Sequence, residues 1–185
     1  MILTPASKKE LNTLREFINN SFGQNVFEKI KTKFIIYKSR EPASRTSFFL
    51  SETENTTLNE LAHLFKTSYS IGYPFIELQN NNPTLNLAAI QVISQFTENR
   101  IKVTDKAIEL FLYGRDIFKN SIIEFEKNLD KNEYAVITDT KRRPFGIGKL
   151  LYSYNELKKL PDNTVAIKNI LDIGLYLRCE NQSIN

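Results

Sequence analysis

Three consecutive cations, Lys141-Arg142-Arg143, form the densest basic run in a chain of 185 residues. Lys158, Lys159, Lys168 and Arg178 follow, so that residues 141–178 carry eight Lys and Arg against three Asp and Glu, while residues 1–99 carry ten against nine. Such an excess suits recognition of a polyanion. A guanidinium meets phosphate oxygens through paired hydrogen bonds, and each neutralised phosphate releases condensed counterions. Charge gathered in one folded patch also steers a polyanion more strongly than the same charge dispersed. The bland alternative is a solvated basic face that discourages edge aggregation. Catalysis finds fewer handles. One histidine, His63, and one cysteine, Cys179, leave no cysteine-rich zinc site, few other zinc geometries and no Ser-His-Asp route. No cofactor is expected.

Two further sets of residues bear on binding. Gly146 and Gly148 alternate with Ile147 and Lys149, which puts both glycines on one face of a strand, open to another backbone or a bulky side chain. Without a third glycine and a strand-to-helix turn they do not make a dinucleotide fingerprint. Tyr113, Tyr152, Tyr154 and Tyr176 could stack on unpaired bases, each contact worth about 1–3 kcal/mol. Such residues more often belong to a core or its rim, so only one or two are expected at the surface.

A hairpin must display the basic run. Residues 134–138 and 145–152 read as its strands, leaving Lys141, Arg142 and Arg143 at the tip with Asp139 as the one nearby acid. Around it, residues 101–103 and 122–125 read as strands and 106–113 as a short helix. Residues 156–160 read as a helical turn and 164–167 and 175–177 as the last strands, with Lys168 and Arg178 ending them. A small barrel with two helical insertions is the simplest closure. The polar junction Thr97-Glu98-Asn99-Arg100 separates it from a different N-terminal pattern. There the capping box of Ser7 and Glu10 starts a helix over 8–20, and residues 26–30, 34–37 and 47–50 read as an antiparallel meander. Thr57 and Glu60 start a second helix carrying His63. Strands over 69–78 and 84–88 flank the turn Asn80-Asn81-Asn82-Pro83, and 89–96 returns to helical spacing. The fold class is α+β, with domains over 1–99 and 100–180 and a flexible tail over 181–185.

Four segments carry a resemblance: Ser70-Ile71-Gly72 leading into Phe75-Ile76-Glu77-Leu78; Phe111-Leu112-Tyr113-Gly114 with Lys119; Pro144-Phe145-Gly146-Ile147-Gly148; and Asp172-Ile173-Gly174-Leu175-Tyr176-Leu177-Arg178. In order and spacing they resemble the Nip-seven family of ribosome-biogenesis proteins across nearly the whole chain. The resemblance implies a pre-PUA domain, an antiparallel sheet with helices, followed by a PUA domain, a small RNA-binding β-barrel. Arg115-Asp116-Ile117 and Lys141-Arg142-Arg143 depart from eukaryotic members and look closer to archaeal ones. In PUA domains RNA lies against the first helix, the glycine loop after it and the last strand. Carried over, that surface takes in Gly114, Arg115, Lys119 and Arg178. A glycine there permits positive φ and close approach of a phosphate, although a helix C-cap explains Gly114 equally well.

The expected function is a non-enzymatic, monomeric RNA-binding factor in large-subunit ribosome biogenesis. Its barrel would contact ribosomal RNA and its N-terminal domain assembly proteins. The alternatives are an RNA-modification or translation-associated protein that docks RNA through the PUA domain, and a protein-only adaptor. An RNA-modifying enzyme needs a catalytic aspartate in a long separate domain or a glycine-rich cofactor loop, and residues 1–99 offer neither. No apolar run approaches the ~18–20 residues of a membrane span, and residues 1–10 lack a signal-peptide pattern. The expected location is therefore cytoplasmic, or nucleolar in a eukaryote.

Overall fold

A computed structural model describes residues 3–40, 45–52 and 72–180. The expected helix with Thr57, Glu60 and His63 lies outside the described residues, as does the tail over 181–185. In chain order the elements are β1 (Leu3–Pro5), α1 (Lys8–Phe22), α2 (Val26–Lys33), β2 (Ile35–Arg40), β3 (Arg45–Ser51), β4 (Tyr73–Gln79), β5 (Asn82–Leu85), α3 (Leu87–Ser94), β6 (Arg100–Val103), α4 (Asp105–Leu112), β7 (Ile117–Phe118), a 3-10 turn (Lys119–Ser121), β8 (Ile122–Phe125), β9 (Tyr134–Thr138), β10 (Pro144–Leu150), α5 (Tyr154–Leu157), β11 (Val165–Asp172) and α6 (Gly174–Glu180). The chain divides into two compact units, residues 1–20 with 24–92 and residues 21–23 with 93–185.

The first unit is built on an antiparallel sheet in the order β1-β2-β3-β4-β5. Its first helix starts where the capping box places it: Glu10 accepts the Ser7 N–H at 2.8 Å and its own N–H donates to the Ser7 hydroxyl at 3.4 Å. The same Glu10 carboxylate receives the Lys38 ammonium at 2.8 Å, fixing the start of α1 to β2. Residues 26–30, expected as a strand, are instead the first turns of α2. Val26, Phe27 and Ile30 are all buried, a spacing that fits one helical face and not an alternating strand. The β4–β5 turn holds Asn80 and Asn81 at φ 51° and 65°, the left-handed pair that matches strand twist in a tight hairpin.

The second unit is a curled, half-barrel sheet in the order β7-β11-β10-β9-β6-β8, with β6 and β9 parallel and the remaining pairs antiparallel. Phe111 of α4, Ile101 of β6, Ile137 of β9 and Ile167 of β11 are fully buried in one cluster. Gly146 and Gly148 both face it. A methyl on Gly146 would overlap the Leu171 carbonyl oxygen and the Phe111 ring, and one on Gly148 would overlap Ile167. Two expectations change at the C-terminus. The last strand runs to Asp172, so Lys168 sits inside it, and residues 175–177, expected as a strand, belong to helix α6. Because the obstacle at Gly146 includes backbone, a Gly146→Ala variant should lose about 1–3 kcal/mol of stability in urea unfolding, more than Gly148→Ala, whose obstacle is a side chain.

Candidate nucleic-acid interface

The tip between β9 and β10 is organised by one buried carboxylate. Asp139 Oδ1 accepts the backbone N–H groups of Lys141 at 2.9 Å and Arg143 at 2.8 Å, while Oδ2 receives Arg143 Nε at 2.7 Å. Arg142 takes a left-handed φ of 63° and donates its N–H to the Asp139 carbonyl at 3.0 Å. Burial alone would push the Asp139 carboxyl up. The backbone and side-chain hydrogen bonds of Arg143, its charge and the Lys141 N–H outweigh this and hold it below the ordinary 3.8. The three cations are therefore not equivalent. Arg143 is spent on Asp139 and lies over the Phe145 ring. Arg142 reaches Glu126 at 3.6 Å. Lys141 meets no carboxylate among the described residues.

A second arrangement closes the end of α4. Leu112 and Gly114 stand where a helix leaves carbonyls without intrahelical donors. Arg178 on α6 donates to the Leu112 carbonyl and forms a two-pronged pair with Asp172, Nη1 to Oδ1 and Nη2 to Oδ2, both at 2.9 Å. Asn169 adds its amide to Asp172 at 3.1 Å and to the Phe111 carbonyl at 2.8 Å. Asp172 is buried, and a methyl on Gly174 would overlap the Leu112 carbonyl oxygen. Gly114 has φ +80° and lies against the Arg178 guanidinium. Gly114 is the left-handed residue just past the Tyr113 C-cap, and the next N–H, of Arg115, donates back to the Leu110 carbonyl at 3.2 Å.

The expected site residues fall into three groups. Gly114 and Arg178 come together, with Arg115 beside them. Lys168 stands apart on β11: the residue after it, Asn169, faces the end of α4 and donates its N–H to Asp116 at 2.8 Å, whereas the neighbouring side chain of Lys168 alternates away from it. The tip, Lys141 to Arg143, stands by the start of α4, where Thr140 meets Asp105 at 3.4 Å, about 12 Å along the helix from Gly114. It is linked to the same side through Phe145, whose carbonyl accepts the Ile173 N–H at 3.0 Å. Lys119 and Lys158 line a separate groove with β8 and α5. There Lys119 is held by the Leu160 carbonyl at 2.6 Å and by Asp162 at 3.1 Å, while Lys159 is exposed just after α5. Of the four tyrosines considered for stacking, Tyr113 and Tyr176 are the exposed ones, at 74% and 62%. Lys149 stands directly across from Lys168 in the β10–β11 ladder, a pairing that counting along either strand does not give because the register shifts between Ile147 and Gly148. Among the described residues no group of three His, Cys, Asp or Glu side chains is placed to hold a metal.

Residues 99–181 match a known family model, described as the UPF0113 PUA domain. The match lies within the second unit. A UPF0113 protein of Archaeoglobus fulgidus is 37% identical over 82 residues, 44% of this chain and 47% of that one; the match spans less than half of that relative. The 60S ribosome subunit biogenesis protein nip7 of Schizosaccharomyces pombe is 23% identical across 97% of this chain and 98% of its own, in line with the resemblance carried by the four segments. A conserved PUA domain protein of Thermoplasma acidophilum has the same fold, with a TM-score of 0.61 at 14% identity, covering 94% of this chain and 95% of that one.

The barrel's tip turn has a definite acid response. Asp139 has a folded pKa below its unfolded value, so its stabilisation is complete above about pH 4 and is lost as pH falls through the folded value. Asp139→Asn should therefore unfold at lower temperature than the parent at pH 7, and the gap should narrow below about pH 4. Thermal melts across that range check it.

Proposed function

We propose that the chain is a non-enzymatic RNA-binding factor of large-subunit ribosome biogenesis, with the PUA domain holding ribosomal RNA. One observation carries the reading. At the Gly114 loop lie the exposed cation Arg115 and the exposed ring of Tyr113, with the exposed Tyr176 on α6; in the same unit Lys141 at the β9–β10 tip and Lys168 on β11 are also exposed, and none of the three cations has a carboxylate partner among the described residues. Cations without partners can take phosphates and release their counterions, and exposed rings offer stacking platforms for unpaired bases. Gly114 gives a phosphate access to the backbone. Asp172, Gly174 and Arg178 position this surface, and Arg143 stiffens the tip instead of contacting RNA first. The full-length similarity to a 60S biogenesis protein supports the ribosomal assignment, with the first unit contacting assembly proteins, the chain acting as a monomer, and a cytoplasmic site, nucleolar in a eukaryote.

The test is binding of a fluorescent single-stranded RNA over a salt series. Alanine at Arg115, Lys141 and Lys168 together should weaken binding and flatten the log–log salt slope by about 0.7 for each phosphate no longer neutralised. Tyr113→Ala should cost about 1–3 kcal/mol at any salt. Unchanged affinity and slope would remove this surface from the site. Release of a modified nucleoside would make the chain an enzyme, and loss of all RNA at low salt with a protein partner retained would make it an adaptor.

A further inference from the structure

A groove of about 350 Å³ lies in the second unit between β8 and α5. Ile122, Phe125, Tyr154 and Leu157 form its apolar wall and Lys119 and Lys158 stand at its rim. Among the described residues, strand β8 is the last in its sheet, with β6 as its one neighbour. The Glu126 N–H donates to the Arg100 carbonyl at 3.1 Å. Antiparallel pairs alternate between bonded and non-bonded, so with Ile101 opposite Phe125 the N–H and C=O of Phe125 turn toward the open edge. Such an edge is a template for another strand unless it is blunted by charge, proline or a cover. This one instead exposes half of Ile123.

The charges decide what the groove accepts. Lys119 is already held by Leu160 and Asp162, and Glu124 is paired with Lys102. Lys158 meets no carboxylate among the described residues; its ammonium sits 4.0 Å above the Tyr154 ring. Phe125 meets that ring edge-on at 5.2 Å. With one face covered by a cation and Phe125 packed against it edge-on, the half-buried Tyr154 ring is already engaged by the chain's own side chains. An edge strand, an apolar hollow and one cation lacking a carboxylate instead match a peptide. We propose that the β8–α5 groove binds an extended segment of a partner protein by strand addition along β8, with an apolar side chain in the hollow and an acidic side chain at Lys158. This places a protein-docking site on the barrel itself, independent of the RNA reading.

The test uses the isotopically labelled full chain and a synthetic peptide about ten residues long, of alternating valine and threonine with one leucine and, two positions after it, one aspartate. Saturable shifts are expected at the amides of Ile123, Glu124, Phe125 and Lys158. Ile123→Lys and Lys158→Glu change exposed side chains, so the fold should persist, and each should weaken binding by about tenfold, as should lysine in place of the peptide's aspartate. No shift at these amides with millimolar peptide, or shifts indifferent to both variants, would overturn the proposal. So would concentration-dependent shifts without peptide, which assign the edge to a second copy, or shifts there with oligouridine alone.

Discussion

A carboxylate buried without partners costs several kcal/mol, and Asp172 stands at the point where β11 ends, α6 begins and α4 closes. Both of its oxygens are taken by Arg178 and one also by Asn169. The guanidinium then spends a further N–H on the Leu112 carbonyl, an acceptor that the end of α4 leaves open, where the helix dipole also favours a cation. Gly174 must be bare because that carbonyl occupies the space a side chain would take. One ion pair therefore sets the placement of three elements, and with them the Gly114 loop.

That placement sorts the basic residues by what they are already doing. Arg178, Arg143 and Lys119 have found carboxylates or carbonyls of the chain itself. Arg115, Lys141 and Lys168 have not: Arg115 stands at the loop that the ion pair fixes, beside the exposed Tyr113, Lys141 at the β9–β10 tip and Lys168 on β11. Net charge could not have made this distinction, since a cation bound internally and one left open count the same. Lys158 belongs to neither class: it covers an aromatic ring beside a strand edge, which gives the β8–α5 groove a different chemistry.

Much of this architecture was legible in the sequence where both partners of an interaction lie within a few residues. The Ser7–Glu10 capping box, the asparagine turn after β4 and the acid beside the basic tip can be read directly. The segment at 26–30 reads as a strand because Val26 and Ile30 are β-branched, yet the burial of Val26, Phe27 and Ile30 follows a helical period. Leu175-Tyr176-Leu177 alternates like a strand, but Arg178 must turn back to Leu112, and a helix from Gly174 makes that possible. The role of Arg178 could not be read at all. Its acceptor lies 66 positions earlier in the chain, and only the folded barrel brings the two together.

Arg178 serves first as Asp172's partner, and a double-mutant cycle measures that directly. Asp172→Ala, Arg178→Ala and the double variant would be compared by urea unfolding. A coupling energy of about 2 kcal/mol is expected, as for charged partners in one hydrogen-bonded network. Additive losses, with a coupling below about 0.5 kcal/mol, would contradict it and return Arg178 to the set of cations free to meet RNA.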